Sequence, residues 1–145
     1  ILDKHLDVTI LLPTHPNPQI REPIKKFFIG NSRVVLTDAL NYIEMVEWIK
    51  RSTLIITDSG GLQEEAPSLG KPVLVIRNST ERIEAVENGT AKVVGTNSEN
   101  IFTNADNLLS NSKAYFSMAN TINPFGDGFA SKRILEASIE FLKLS

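Results

Sequence analysis

The stretch from Leu54 to Ile76, LIITDSGGLQEEAPSLGKPVLVI, constrains this chain more than any other. It opens on Leu54-Ile55-Ile56-Thr57, apolar and β-branched enough to form a strand buried on both faces. Asp58-Ser59-Gly60-Gly61 then supplies helix-capping side chains and two residues free of Cβ crowding. A helix is predicted from Leu62 to Leu69 and is stopped by Gly70. Lys71-Pro72 leads into a second buried strand, Val73 to Ile76. The pattern is a βαβ unit with its glycines at the first strand-to-helix turn. Backbone N–H groups at such a turn carry the positive end of the helix dipole and suit a phosphate.

On a helical wheel Ala66 and Leu69 fall within roughly 40° of Leu62, and the three form a narrow face toward the sheet. Glu64 falls on the opposite side and is expected to be solvated. Glu65 sits at the border of the apolar face, one turn in from the helix start. A carboxylate there can accept hydrogen bonds from sugar hydroxyls and so hold a ribose. Equally, both glutamates can do no more than complement the helix dipole.

The flanking segments repeat the alternation. Ile1 to Leu6 reads as the end of a helix, so the chain looks cut from something longer. Val8 to Leu12 forms a strand ended by Pro13, and Thr14-His15-Pro16-Asn17-Pro18 is a loop stiffened by its prolines. In open α/β sheets ligands bind at that carboxyl edge, so His15 is either a site residue or a surface histidine. A helix over 20–29 has Ile20, Ile24, Phe27 and Phe28 as its inner face. Strand 33–37 and helix 42–51 follow, the latter with Met45, Val46 and Ile49 inward. After the central unit, Arg82 offers a fork for a phosphate or a carboxylate. A short helix is predicted at 83–87, a last strand at 91–94, and helices at 99–109, 112–121 and 129–144. Asn123 to Gly128 forms a tight loop before the last helix, whose apolar stripe is Ile134, Leu135, Ile139 and Leu142. The fold class is therefore α/β, a doubly wound parallel sheet of roughly five strands, Rossmann-like, in one domain over 1–145.

Composition narrows the function. With 41% hydrophobic and 22% charged residues the chain is an ordinary globular one. A net charge of −2 without a basic block argues against nucleic acid and anionic membranes as partners. There is no cysteine, hence no disulfide framework or thiolate metal site, and no apolar run approaches the ~20 residues that span a bilayer. A cytoplasmic place fits these features. Gly60-Gly61 lacks the Lys-Ser/Thr of a P-loop, and no G-x-G-x-x-G occurs. His5 and His15 are separated by a strand, which excludes a close histidine metal pair. Ser59 is not in a hydrolase elbow. No metal and no cofactor are expected.

Residues 57–90, TDSGGLQEEAPSLGKPVLVIRNSTERIEAVENGT, closely resemble the C-terminal domain of the non-hydrolysing UDP-N-acetylglucosamine 2-epimerases. The resemblance extends back to THPNP at 14–18 and forward to NPFGDG at 123–128. It implies the C-terminal half of a two-domain enzyme built like the B-type glycosyltransferases. The implied reaction interconverts UDP-N-acetylglucosamine and UDP-N-acetylmannosamine by eliminating UDP and adding it back. Ser59, Gly60 and Gly61 would hold the diphosphate, Glu65 the ribose, and Arg82 would lie near the diphosphate or sugar. His15, in the family's His-x-Asn-Pro, would lie near the nucleotide-sugar sites. At Met45 the family commonly places an aromatic residue stacked on uracil. A methionine keeps a polarisable contact and loses the π-face, and it can equally be core filling. No catalytic residue is assigned here, because the family's proton-moving carboxylates lie mostly in an N-terminal domain that this chain does not contain. The expected partners are a UDP-sugar substrate, that N-terminal domain, and a second copy in a homodimer. The pathway implied is cell-surface polysaccharide biosynthesis. A UDP-sugar-dependent B-type glycosyltransferase domain and a non-catalytic nucleotide-sugar-binding remnant are the alternatives.

Overall fold

A computed structural model describes residues 1–143. The chain forms two compact units, one over Ile1–Ser52 and one beginning at Thr53. Both are built from parallel strands alternating with helices, and the five described strands form one two-stranded and one three-stranded ladder.

In the first unit β1 (Ile10–Pro13) is followed by α1 (Pro18–Phe28), β2 (Val34–Thr37) and α2 (Tyr42–Arg51). β1 and β2 pair in parallel, with Ile10 opposite Val34 and Pro13 opposite Thr37. Pro13, expected to end the strand, is its last paired residue. The segment before β1 is not a continuous helix but two turns, one closed by the Lys4 and His5 amides on the Ile1 carbonyl and one by the Val8 amide on the His5 carbonyl. Arg33 fastens it: Nη1 donates to the His5 carbonyl at 2.9 Å and Nη2 to the Leu2 carbonyl at 2.7 Å. α2 begins with a reciprocal cap. The Glu44 amide donates to Asn41 Oδ1, and the Asn41 amide donates to Glu44 Oε2. Ile49 is its buried residue, as the helical spacing predicts, with Met45 and Val46 half-buried. α1 differs from expectation. Its period is helical, yet no residue is buried and Phe27 is 81% exposed. Periodicity marks an apolar side of a helix; it does not supply the surface that covers it.

In the second unit β3 (Ile55–Thr57), α3 (Gly60–Ser68), β4 (Val73–Val75), α4 (Ile83–Glu87) and β5 (Ala91–Val93) come in sequence order. The sheet order is β3-β4-β5, all parallel, with Thr57 opposite Val75 and Val75 opposite Val93. α5 (Ser98–Ser110), α6 (Ser112–Ala119) and α7 (Ala130–Lys143) follow. The core sits on β4, whose Val73, Leu74 and Val75 are each 0% exposed. Ala66 of α3, Ala85 of α4 and Ala105 of α5 are also fully buried, small side chains that allow backbones to approach closely. The last helix was expected to reach Leu144, which lies outside the described residues. Its apolar stripe is exposed, from Ile139 at 44% to Leu142 at 71%.

α3 also differs from expectation. Its buried residues are Gln63, Ala66 and Pro67, so Gln63 rather than Leu62 leads the inward face, and Leu69 is only half-buried. The helix starts at Gly60, earlier than expected, and its inward face is centred on Gln63, Ala66 and Pro67. Gly70 ends it with φ +66°, and a Cβ there would lie 3.4 Å from the Ala119 carbonyl oxygen. Gly70→Ala should therefore destabilise the protein by about 1–2 kcal/mol, the cost of a left-handed residue with a side chain. Urea unfolding checks this; a variant as stable as the parent would show that the turn relaxes freely.

Candidate functional site

The second unit gathers the sequence-predicted residues Ser59, Gly60, Gly61, Glu65 and Arg82 around the start of α3. β3 ends at Thr57, whose Oγ1 accepts the Ser59 amide at 3.0 Å and so fixes the turn. Ser59 stands at the N-cap with extended backbone, but its hydroxyl makes no capping bond to the helix. An N-cap serine ordinarily satisfies one of the first helical amides. Here its hydroxyl is left to turn toward another acceptor or donor, and those amides point out of the helix end.

The two glycines have different surroundings. A Cβ on Gly60 would meet Glu81 Oε1 at 2.8 Å, Arg82 Nη2 at 3.6 Å and Arg82 Cζ at 3.8 Å. The Glu81 carboxylate is thus nearest the Gly60 Cβ position, with the Arg82 guanidinium just behind it. A Cβ on Gly61 would meet only Glu65 Oε1 and Ser59 Oγ, each at 3.8 Å, which is ordinary contact. Gly61 is helical and not in the positive-φ region, so no backbone strain requires glycine there. The turn is bordered at Gly60 by the Glu81 carboxylate and the Arg82 guanidinium, and at Gly61 by the Glu65 carboxylate and Ser59 hydroxyl.

Arg82 is held by its neighbours. Its Nε donates to Glu64 Oε1, and Nη1 lies 3.8 Å from Glu81 Oε1. Arg77 Nη1 takes the other Glu81 oxygen at 2.8 Å. The Glu81 carboxyl is held below its ordinary range first by a hydrogen bond from its own backbone amide, with Arg77 and Arg82 adding to the effect. Glu64 was expected to be solvated on the far side of the helix; instead it is half-buried and ion-paired. The wheel places it away from the sheet, and the loop bearing Arg82 folds over that side. The Glu64 carbonyl also accepts from Asn123 Nδ2 at 3.4 Å, and the same amide donates to Ser68 Oγ at 2.5 Å. Asn123 Oδ1 accepts the Phe125 amide at 3.2 Å. The Asn-Pro-Phe-Gly-Asp-Gly loop is thereby tied to α3.

Sequence reasoning missed the buried layer beneath the turn. Gln63 is 0% exposed. Its Nε2 donates to the Ser59 carbonyl at 3.1 Å, and its Oε1 accepts from the Thr80 hydroxyl at 2.5 Å. Thr80 Oγ1 in turn accepts the Arg82 amide at 3.1 Å. The available signal was spacing: Gln63, Ala66 and Pro67, at i, i+3 and i+4, share one helical face.

His15 and Met45 belong to the first unit. His15 follows β1 on an exposed loop, and its Nδ1 accepts the Asn17 amide at 3.1 Å, which puts the proton of the neutral ring on Nε2. Asn17 Oδ1 accepts the Gln19 amide and caps α1. Beside it, Thr14 is buried and its hydroxyl donates to the Thr37 carbonyl at 2.7 Å. Met45 is half-buried on the second turn of α2. Among the described residues no three His, Cys, Asp or Glu side chains are grouped so as to hold a metal ion. No described helix is long and apolar enough to cross a membrane.

The family model for UDP-N-acetylglucosamine 2-epimerase matches residues 1–138. The UDP-N-acetylglucosamine 2-epimerase of Yersinia pestis is 47% identical over 137 residues, covering 94% of this chain and 36% of its own length. That of Bacillus subtilis strain 168 is 48% identical over 136 residues, with the same shares. Among solved structures, S. aureus MnaA in complex with UDP superposes with a TM-score of 0.93 at 43% identity, over 99% of this chain and 40% of that one. The Neisseria meningitidis UDP-GlcNAc 2-epimerase bound to UDP-GlcNAc gives 0.88 at 42% identity, over 96% and 38%. The chain spans between a third and two fifths of the length of these relatives. Its fold is that of their corresponding part, and the chain belongs to the UDP-N-acetylglucosamine 2-epimerase family.

Proposed function

We propose that this chain is the UDP-binding part of an enzyme that interconverts UDP-N-acetylglucosamine and UDP-N-acetylmannosamine. The observation that carries this is the turn at Ser59–Gly61, with a guanidinium near Gly60 and a carboxylate and a hydroxyl beside Gly61. A relative with the same fold over this region is solved with UDP. In this reading the outward amides and Arg82 hold the diphosphate, Ser59 adds a hydroxyl donor, and Glu65 accepts from the ribose. Met45 lies against the base and His15 contributes to the nucleotide-sugar site.

The chemistry explains why the grip matters. Removing the proton from C2 and breaking the C1–O bond leaves a 1,2-unsaturated sugar, 2-acetamidoglucal. The electron pair of the broken bond goes to the diphosphate oxygen. Donors fixed around that oxygen lower the barrier to departure and hold UDP for re-addition. Re-addition remakes the C1–O bond and delivers a proton to the opposite face of C2. The residues of this chain bind and stabilise the leaving group; the groups that move the C2 proton are assigned to the length of the relatives that it does not span. The same reading makes the working protein a cytoplasmic homodimer that supplies an amino sugar for cell-surface polysaccharide.

Two experiments follow in the intact protein that carries this chain. Glu65→Gln should leave the fold unchanged and weaken UDP binding by about one to two decades, a charged hydrogen bond being worth roughly 1.5–3 kcal/mol. Gly61→Val should also fold, because Gly61 is helical and its Cβ position is open, yet lose UDP where the side chain meets the diphosphate. Glu64→Gln cannot serve as the silent control, since it breaks the pair with Arg82; exposed Glu87→Gln on α4 can. Calorimetry with UDP decides: unchanged affinity in both site variants would place the nucleotide elsewhere.

Residues 1–145 alone should not epimerise. Incubated with UDP-N-acetylglucosamine in deuterated water, they should incorporate no deuterium at C2 by proton NMR. Exchange there would mean that the chain holds its own acid and base.

A further inference from the structure

The start of α3 and the loop bearing Arg82 are separate pieces of backbone, following β3 and β4 respectively. A diphosphate that touches both needs them at one spacing. The side chain connecting them is Gln63, buried beneath the turn, with Thr80 as its partner.

The polarity of this link is forced. The Ser59 carbonyl can only accept, so the nitrogen of the Gln63 amide must face it, at 3.1 Å. The amide oxygen must then face Thr80, whose hydroxyl donates to it at 2.5 Å. With its proton so committed, the hydroxyl has a lone pair for the Arg82 amide at 3.1 Å. Every donor meets an acceptor, from the N-cap of α3 to the residue that opens α4. No charge takes part, so the link persists whether or not an anion sits above it. By contrast, the ion pairs of Arg82 with Glu64 and Glu81 are half-exposed and aim its guanidinium without fixing its backbone. A glutamate at position 63 would set an oxygen against an oxygen, and a leucine would fill the volume without either bond.

We propose that Gln63 and Thr80 are positioning residues that hold the Ser59–Gly61 turn in register with Arg82, so that one diphosphate meets both. This rests on the UDP reading given above. It predicts that the link acts on ligand affinity and not only on stability, and that its effect passes through Arg82.

The test uses the intact protein carrying this chain, with melting followed by circular dichroism and UDP affinity measured by calorimetry well below each melting point. Gln63→Leu should weaken UDP binding about tenfold or more. Thr80→Val, at a half-exposed position, should act in the same direction and keeps the test open if Gln63→Leu does not fold. Thr80→Ser retains the hydroxyl and should bind within about twofold of the parent. In a double-mutant cycle with Arg82→Ala, the further loss on adding Gln63→Leu should shrink to about twofold, because the residue being registered has lost its guanidinium. Lowered melting points with unchanged UDP affinity in Gln63→Leu and Thr80→Val would reduce the pair to a packing role and overturn the proposal. Additive losses in the cycle would overturn it as well. If the parent itself does not bind UDP, the functional reading fails and this inference with it, an outcome distinct from a parent that binds and variants that do not change.

Discussion

Everything in the second unit depends on the burial of β4. Val73, Leu74 and Val75 are closed off from solvent, with β3 and β5 hydrogen-bonded on either side. Burying three such side chains contributes roughly 5–8 kcal/mol before entropy is counted. The arrangement also fixes where β3 stops, because Thr57 pairs with Val75 and its carbonyl accepts the Ile76 amide. The turn therefore emerges at a set height on the carboxyl edge of the sheet, and the Arg82 loop leaves β4 at the same edge. Parallel strands put both βα connections there, which is why an α/β sheet places its ligand sites along that edge.

The electrostatics of the turn are less simple than a basic pocket. Glu64 and Glu81 pair with Arg82 and Arg77, and Glu65 adds a third carboxylate beside Gly61, so the side chains alone give no net positive charge. On the UDP reading proposed above, attraction for a diphosphate would come from geometry: helix-end amides aimed outward and the Arg82 guanidinium near Gly60. Glu64 occupies Nε and leaves the fork of the guanidinium to face the turn. Glu81, drawn to Arg77, borders the same space. On that reading the site would select an anion by its shape, since side-chain charge would do little of the holding.

Much of this could be read from the residues. The glycine pair, the strand before it and the stop at Gly70 place the central unit, and α2 and α4 begin and end where their patterns say. The resemblance over 57–90 identified the family that the comparisons establish. Legibility failed where a polar side chain has a buried job. Amphipathic counting passes over Gln63 because it sorts residues by type, and its partners, the Ser59 carbonyl and Thr80, are invisible in a one-dimensional pattern. Glu64 failed for a related reason: a wheel describes one helix and ignores the loop folded over it. The apolar sides of α1 and α7 show the converse limit. Their period is plain, yet what covers Phe27 or Leu142 is not written in the period.

The most direct measurement is an NMR titration of the nitrogen-15-labelled intact protein with UDP. The backbone amides of Ser59, Gly60 and Gly61 and the Nε–H of Arg82 should move together and saturate with one dissociation constant. Amides at the end of α6, whose Ala119 carbonyl lies by Gly70 at the far end of α3, should stay in place. Saturable shifts that spare the Ser59–Gly61 turn and Arg82 would contradict the account.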